Sequence, residues 1–460
     1  MRKGLIVLLV AVVAVAFAMP VSAADFTTSG FLRQKAYVSN FNGEGALYFN
    51  EDASTNAFVE QRFRMKFDFG NENVKAVWYV ETDFNFGDSA GGSGGSAVRN
   101  QGGALGGDKI NLETKNIYTW FKIPDTSMAV TVGLQNQNDD YAGIVYGYAD
   151  MAGIFLTGKY EPASYKLGWA KLYENATHES DDMTLYYAAT NFVSGKDLKW
   201  GLNFYFLQND TNKTTGTLPG NNRLAYLNDE KVYMLGGNVA AKAGPATISG
   251  FLQFQTGKFE ATNPGDRDVD ISAFTIDLRA DMNVGPGKAF FEGLYLSGGD
   301  NTADKYKAPI DLSTNNASPG GNSSYTRANS YLMLASPDTL GTISQCFIGC
   351  SAPVTDQSLG NQGRGMWMLA AGYAQDLNPK TKIQGNIIYL NATEMLKSDN
   401  SNRKENMGTE LNARLDYNIY KGLDVGLVGA YVFIGDFYKN SAGQTAKDIY
   451  TTYARLNYAF

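Results

Sequence analysis

The most regular feature of the chain is an alternation with a period of two. Across 58–69, Val59, Gln61, Phe63, Met65, Phe67 and Phe69 fall on one parity, and Glu60, Arg62, Arg64, Lys66 and Asp68 fall on the other. Successive strand side chains point to opposite faces, so this pattern predicts a strand with one face in an apolar medium and the other in water. The split recurs at Leu411, Ala413, Leu415, Tyr417 and Ile419 against Glu410, Asn412, Arg414, Asp416 and Asn418. It recurs again at Leu198, Trp200, Leu202, Phe204 and Phe206 against Lys199, Asn203 and Tyr205. Strands of soluble sandwiches usually run about 5 to 6 residues. The segments here approach ten, roughly the length a tilted strand needs to cross a bilayer.

The connections give an independent signal, because short and long ones alternate. Gly70-Asn71-Glu72-Asn73, Pro124-Asp125-Thr126, Glu161-Pro162-Ala163, Ser194-Gly195-Lys196-Asp197, Gly244-Pro245, Gly285-Pro286-Gly287, Asn378-Pro379-Lys380 and Lys421-Gly422 all carry turn chemistry. Between them lie polar, Gly/Asn/Ser-rich stretches near 40–57, 87–109, 138–150, 174–182, 209–230, 259–268, 298–362, 395–406 and 435–446. Eight turns and nine loops join 18 strands and leave both termini on the short-turn side. The fold expected is all-β: a transmembrane antiparallel β-barrel of about 18 strands, or 16 on the alternative count, with short periplasmic turns and long external loops.

The two ends agree with that reading. Arg2 and Lys3, the apolar stretch 4–18 and Val21-Ser22-Ala23 have the layout of a signal peptide over 1–24, leaving 25–460 as a single barrel domain. Loss of Arg2 and Lys3 takes the formal charge from −7 to −9. The last strand, 449–460, carries Leu456, Tyr458 and Phe460 on one face and ends on Phe460. A terminal aromatic on an amphipathic strand resembles the signal read by outer-membrane assembly machinery in Gram-negative bacteria, which is the expected location.

Composition removes other classes. With 13% aromatic and only 18% charged residues, 50 Gly and a net charge of −7, the chain is unlike a helical bundle and lacks the basic face a nucleic-acid partner requires. One His and two Cys leave little material for metal, haem or nucleophile chemistry, so no cofactor, metal or catalytic residue is expected. His178 stands alone in a loop, and Cys346 and Cys350 have the spacing of a possible local disulfide in the longest loop. The run Gly153-Ile154-Phe155-Leu156-Thr157-Gly158-Lys159 mimics a phosphate loop, but Tyr160 replaces the hydroxyl residue and the segment reads as a strand.

Phe58-Val59-Glu60-Gln61-Arg62-Phe63-Arg64, Asn116-Ile117-Tyr118-Thr119-Trp120-Phe121-Lys122-Ile123-Pro124 leading to Val132-Gly133-Leu134-Gln135, and Asp150-Met151-Ala152-Gly153-Ile154 together resemble the homotrimeric outer-membrane porins of sulfate-reducing and related anaerobic bacteria. The likeness covers roughly the first third of the mature chain and the terminal strand, and more distantly the chain is similar to general porins. It implies passive diffusion of small hydrophilic solutes and ions through a homotrimeric channel set among outer-membrane lipid and lipopolysaccharide. The long stretch 298–362 and the count of 18 strands depart from the general-porin pattern. A barrel that sheathes a cytochrome in an electron-transfer conduit is the alternative.

On the channel reading, the polar parity lines the pore. Arg33 and Lys35 on the first strand, Arg62, Arg64 and Lys66 on the second, Arg414 on the sixteenth and Arg455 on the last would gather on one wall, because closure pairs the last strand with the first. Asp139, Asp140 and Asp150 bracket the third loop, whose apolar run Tyr141-Ala142-Gly143-Ile144-Val145-Tyr146-Gly147-Tyr148-Ala149 wants a surface to pack on. Folded inward, the loop would set carboxylates opposite the basic wall, creating a transverse field. Two alternatives stay open: the cations pair with Glu60, Asp68, Glu410 and Asp416 along their own strands, or the loop packs at a subunit interface.

Overall fold

The computed structural model describes residues 25–41, 47–49, 55–88, 102–107, 110–174, 179, 181–210, 227–261, 268–299, 305–312, 325–334, 336–337, 360–397 and 399–460. The expected signal peptide, His178 and both cysteines lie outside them. No described helix is long and apolar enough to cross a membrane.

Nineteen strands are described: β1 (Asp25–Ser39), β2 (Asn56–Gly70), β3 (Val74–Asn85), β4 (Glu113–Lys122), β5 (Met128–Gln137), β6 (Ala149–Tyr160), β7 (Ala163–Tyr173), β8 (Met183–Ser194), β9 (Leu198–Asn209), β10 (Leu227–Ala243), β11 (Ala246–Ala261), β12 (Val269–Val284), β13 (Gly287–Leu296), β14 (Lys305–Tyr306), β15 (Met366–Asn378), β16 (Thr381–Ala392), β17 (Asn406–Tyr420), β18 (Leu423–Ile434) and β19 (Ile449–Ala459). Eighteen of them pair antiparallel, each with its neighbour in sequence, except that β13 pairs with β15. The two-residue β14 lies parallel to β12 at Asp270 and Ile271, beyond the end of β13. The eight turns and nine loops fall where the turn chemistry puts them, and the barrel has 18 strands, not 16.

The barrel closes between its first and last strands. The ladder runs from Phe31↔Ala459 to Ser39↔Thr451. Gly30 and Phe460 extend it by exchanging backbone bonds, Gly30 N–H to Phe460 O at 2.9 Å and Phe460 N–H to Gly30 O at 3.0 Å. The terminal aromatic thus lies on the seam, where pairing removes the unpaired edge an open sheet would expose. The false phosphate-loop run lies inside β6, fully in the ladder.

Burial follows the parity. Along β17, Glu410 and Asn412 are buried while Leu411, Ala413 and Leu415 are exposed. Closure therefore puts the polar set inside and the apolar set outside. The outer face is an aliphatic band, with Ile154, Leu167, Leu202, Leu235, Leu278, Leu369, Leu411 and Leu427 exposed. Phe26, Phe69, Tyr160, Tyr420, Tyr458 and Phe460 ring its short-turn end, and Tyr186, Tyr233, Tyr295, Tyr431 and Phe433 ring the long-loop end. A chain burying its apolar parity in a soluble core would show the opposite pattern.

Candidate channel interior

Pairing across the seam stacks the basic residues. Arg33 stands opposite both Arg62 and Asn457, and Lys35 opposite both Glu60 and Arg455, so β2, β1 and β19 carry one continuous patch, with Arg414 on nearby β17. Like charges at such spacing repel unless anions intervene, and the structure interleaves them. Arg62 Nε donates to Asp83 at 2.7 Å and lies 3.3 Å from Glu81, to which Arg64 also donates. Lys66 meets Asp68 at 3.0 Å. Arg455 donates to Asp416 at 2.9 Å and Asp424 at 2.5 Å, and Arg414 donates to Asp416 at 2.6 Å. Arg33 donates to Asn457 Oδ1 at 3.0 Å. Glu60 accepts from the Tyr37 hydroxyl at 2.7 Å, with Lys35 at 4.0 Å.

Two of these pairings run along one strand as expected, Lys66 with Asp68 and Arg414 with Asp416. The buried cluster around Arg62 crosses strands, through Glu81 and Asp83 on β3, which sequence reasoning missed. Their signal was present: Glu81 and Asp83 alternate with Thr82 and Phe84 as Arg62 and Arg64 alternate with Phe63. Among the described residues Glu410 pairs with no cation of the wall; its donors are the Asn412 amide at 2.7 Å and the backbone N–H and Ser330 hydroxyl groups described below.

The third loop folds inward, over the wall half a circumference away. Tyr141, Ile144, Val145 and Tyr146 are fully buried. The Tyr141 ring lies 5.6 Å from that of Tyr205 on β9 and 5.5 Å from Phe251 on β11, and Tyr146 meets Tyr205 at 5.9 Å. Gly236 on β10 makes room: a Cβ there would stand 2.7 Å from the Tyr141 hydroxyl. Asp139 organises the turn, Oδ1 accepting N–H bonds from Tyr141 (2.9 Å) and Gly143 (2.7 Å), Oδ2 from Val145 (2.6 Å) and Tyr146 (3.1 Å). Four donors hold a backbone that includes Ala142 at φ 57°, a left-handed conformation uncommon for a residue with a Cβ. Burial pushes the Asp139 carboxyl up to about 6, and those four N–H groups pull against it.

The three loop carboxylates therefore do not form one acidic face opposite the basic wall. Asp139 turns into its own loop. Asp140 lies near Tyr205, whose hydroxyl accepts its backbone N–H at 3.3 Å; burial raises its carboxyl and Lys166 lowers it. Asp150, at the start of β6, accepts from Lys115 at 2.6 Å, Asn116 at 2.8 Å and Asn136 at 3.1 Å, so it belongs to the β4–β6 wall. An inward loop must satisfy its own turn before it can present charge, and Asp139 does that work.

A second inserted segment comes from the loop between β13 and β15. Ile310 exchanges bonds with the Gln255 side chain on β11, at 2.6 and 3.0 Å, and Leu312 N–H donates to Val145 O at 3.0 Å, tying this segment to the third loop. Tyr325 puts its hydroxyl between Asp277 (2.5 Å) and Glu292, and Arg327 meets Asp277 at 2.7 Å and Glu292 at 3.3 Å. Farther along, Glu410 on β17 accepts the N–H groups of Tyr331 (2.7 Å), Leu332 (3.1 Å) and Met333 (2.8 Å) and the Ser330 hydroxyl (2.6 Å). The inner face from β8 round to β17 is thus overlain by inserted chain. The apolar run Tyr331-Leu332-Met333-Leu334 inside a polar loop is the same signal that marked the third loop.

By sequence, no protein-family model and no curated protein matches the chain. By structure, it is similar to OccK8 (OprE) of Pseudomonas aeruginosa, with a TM-score of 0.55 at 12% identity over 95% of this chain and 98% of that one. OccAB4 of Acinetobacter baumannii gives the same figures: TM-score 0.55, 12% identity, 95% and 98% covered. A BenF-like porin from Pseudomonas fluorescens Pf-5 gives a TM-score of 0.54 at 12% identity, again over 95% of this chain and 98% of that one. The chain shares the closed barrel fold of outer-membrane porins over nearly its whole length.

Proposed function

We propose that this chain is a Gram-negative outer-membrane porin, a passive diffusion channel for small hydrophilic solutes and ions. The observation that carries the proposal is the segregation of the two strand parities: an aliphatic band flanked by aromatics outside, and charged residues narrowed by two inserted segments inside. A bilayer accepts the first surface and water the second. The aqueous path runs along the charged wall of β19, β1, β2 and β3, where Arg64 and Lys66 keep part of their side chains open to water. On this reading Arg33, Lys35, Arg62, Arg64, Lys66, Arg414 and Arg455 line the pore, Asp140 stands at its edge, and the chain works as a homotrimer, as the resemblance to trimeric porins implies.

A barrel sheathing a cytochrome needs a bore that admits a haem-bearing polypeptide. The buried Tyr141, Tyr146, Tyr325 and Tyr331 occupy that space, which weighs against it. Planar-bilayer recording in a salt gradient tests the proposal. Stepwise conductance with a defined reversal potential is expected, and an assembled barrel that conducts nothing would overturn it.

A further inference from the structure

One of the five tryptophans is placed unlike the others. Trp78, Trp169, Trp200 and Trp367 share their strand parity with exposed outer residues such as Val74, Leu167, Leu202 and Leu369, the membrane-facing setting in which tryptophan is ordinarily found. Trp120 on β4 stands opposite Lys75 on β3 and Thr131 on β5, and Tyr118, two residues before it, opposite Val77 and Gly133. Lys75 and Val77 have the parity of Glu81 and Asp83, so both rings are on the lumen side, near its short-turn mouth. Strand residues two apart lie about 7 Å from each other, and both rings are half-buried, so water reaches part of each. Gly133 keeps the wall beside them low. Its φ of 131° suits few residues with a side chain, and a Cβ there would stand 2.5 Å from Ile117 O and 3.0 Å from Tyr118 Cβ.

The result is a cavity of about 320 Å³ in the wall of β2 to β5, at the small end of the range for small-molecule sites, about 300–1,000 Å³. Around the rings its lining is polar and of both signs. Lys66 meets Asp68 at 3.0 Å, Lys75 places Nζ 6.0 Å from the centre of the Trp120 ring, and Asn116, Gln135 and Asn136 supply carboxamides. An anion in this space faces Asp68, and a cation faces Lys66 and Lys75. A carboxamide both donates and accepts, as a hydroxyl does, whereas a carboxylate solute only accepts. The solute that matches is neutral, carries several hydroxyls and has one apolar face. A sugar ring has all three, and the slightly positive hydrogens of its C–H face suit the negative face of an aromatic ring.

We propose that this cavity is a binding subsite for a neutral pyranose sugar passing through the pore, with the sugar ring stacked on Trp120 and Tyr118 and its hydroxyls on Asp68, Asn116 and Gln135. The inference rests on the channel reading above and narrows it to a class of solute.

The test uses the full chain in planar bilayers, with maltose, the open-chain polyol sorbitol and benzoate as probes, each block read as a fraction of that variant's own current. Maltose is expected to block the ion current saturably and at least about tenfold more tightly than sorbitol, which has the hydroxyls without the ring face, or benzoate, which has a flat ring with a charge. Trp120→Leu keeps apolar bulk without a flat face and is expected to weaken the maltose block about tenfold. Trp120→Phe keeps a face and should retain most of it, and Trp169→Phe on the outer face should retain all of it. A Leu variant that binds maltose as well as the Phe variant overturns the stacking site. Equal block by sorbitol overturns the sugar ring, and tighter block by benzoate overturns the neutral solute. A barrel that conducts but shows no saturable block fails the subsite alone, whereas one that conducts nothing sinks the channel reading and the subsite with it.

Discussion

The two halves of the inner wall spend the same kind of residue differently. On β19, β1, β2 and β3, carboxylates sit among guanidinium and ammonium groups, as Glu81 and Asp83 do around Arg62. On the half from β8 to β17, Asp139 and Glu410 are buried with backbone N–H groups as their principal donors. The first arrangement keeps charge on the wall, with Arg64 and Lys66 partly open to water. The second uses charge as an anchor for chain that has left the wall. A buried carboxylate must be satisfied by something, and the two halves differ in where the donor stands: on a neighbouring strand, as Arg62 does for Asp83, or on inserted chain, as Arg327 does for Asp277 and the Tyr331 N–H for Glu410.

Removing the filling should have the largest effect. Deleting 141–148 takes away the buried Tyr141, Ile144, Val145 and Tyr146, and single-channel conductance should rise severalfold with the oligomer band on unheated gels retained. Loss of that band with unchanged conductance would mean that the loop serves a subunit contact.

Removing an anchor should come next. Glu410→Ala strips acceptors from three backbone N–H groups and the Ser330 hydroxyl, costing the segment at least about 3 kcal/mol. Hydrogen exchange of the Tyr331 and Met333 amides should accelerate by roughly 100-fold. Unchanged protection would show that the segment is held by packing alone.

Reversing the open wall should leave the filling untouched. Arg62→Glu with Arg64→Glu adds negative charge beside Glu60, Glu81 and Asp83, and the reversal potential in a salt gradient should move towards cation selectivity, while Tyr331 protection stays constant. An assembled barrel with unchanged selectivity would remove these arginines from the conduction path.

The smallest effect is the pH response of the third loop. The Asp139 carboxyl is raised in the fold to about 6 from 3.8, so protonation favours the folded loop. Its contribution is fully present below pH 4, falls as pH rises from about 4 to about 6, and is level above, spanning roughly 3 kcal/mol at most. Exchange of the 141–146 amides, corrected for intrinsic rates, should lose protection through that window, and Asp139→Asn should flatten the profile.

Much of this architecture was legible in the chain. Period-two alternation at 58–69 and the rhythm of turns such as Gly244-Pro245 determined strands, faces and their number, because side-chain parity and turn chemistry are local and repeat at every crossing. Arg33 meets Arg62 through the pairing of the first two strands, and Lys35 meets Arg455 through closure. What the acidic residues do was not legible. Asp139 and Asp150 read alike in sequence, yet one closes a turn in the lumen and the other is held by Lys115 and Asn116 on the wall. Glu410 sits in the same alternating strand as Asp416, yet one holds backbone and the other holds arginine. Those roles depend on which distant donor arrives first in space, and the path of an inserted loop is set by packing among Tyr141, Tyr205 and Phe251, which no local pattern encodes.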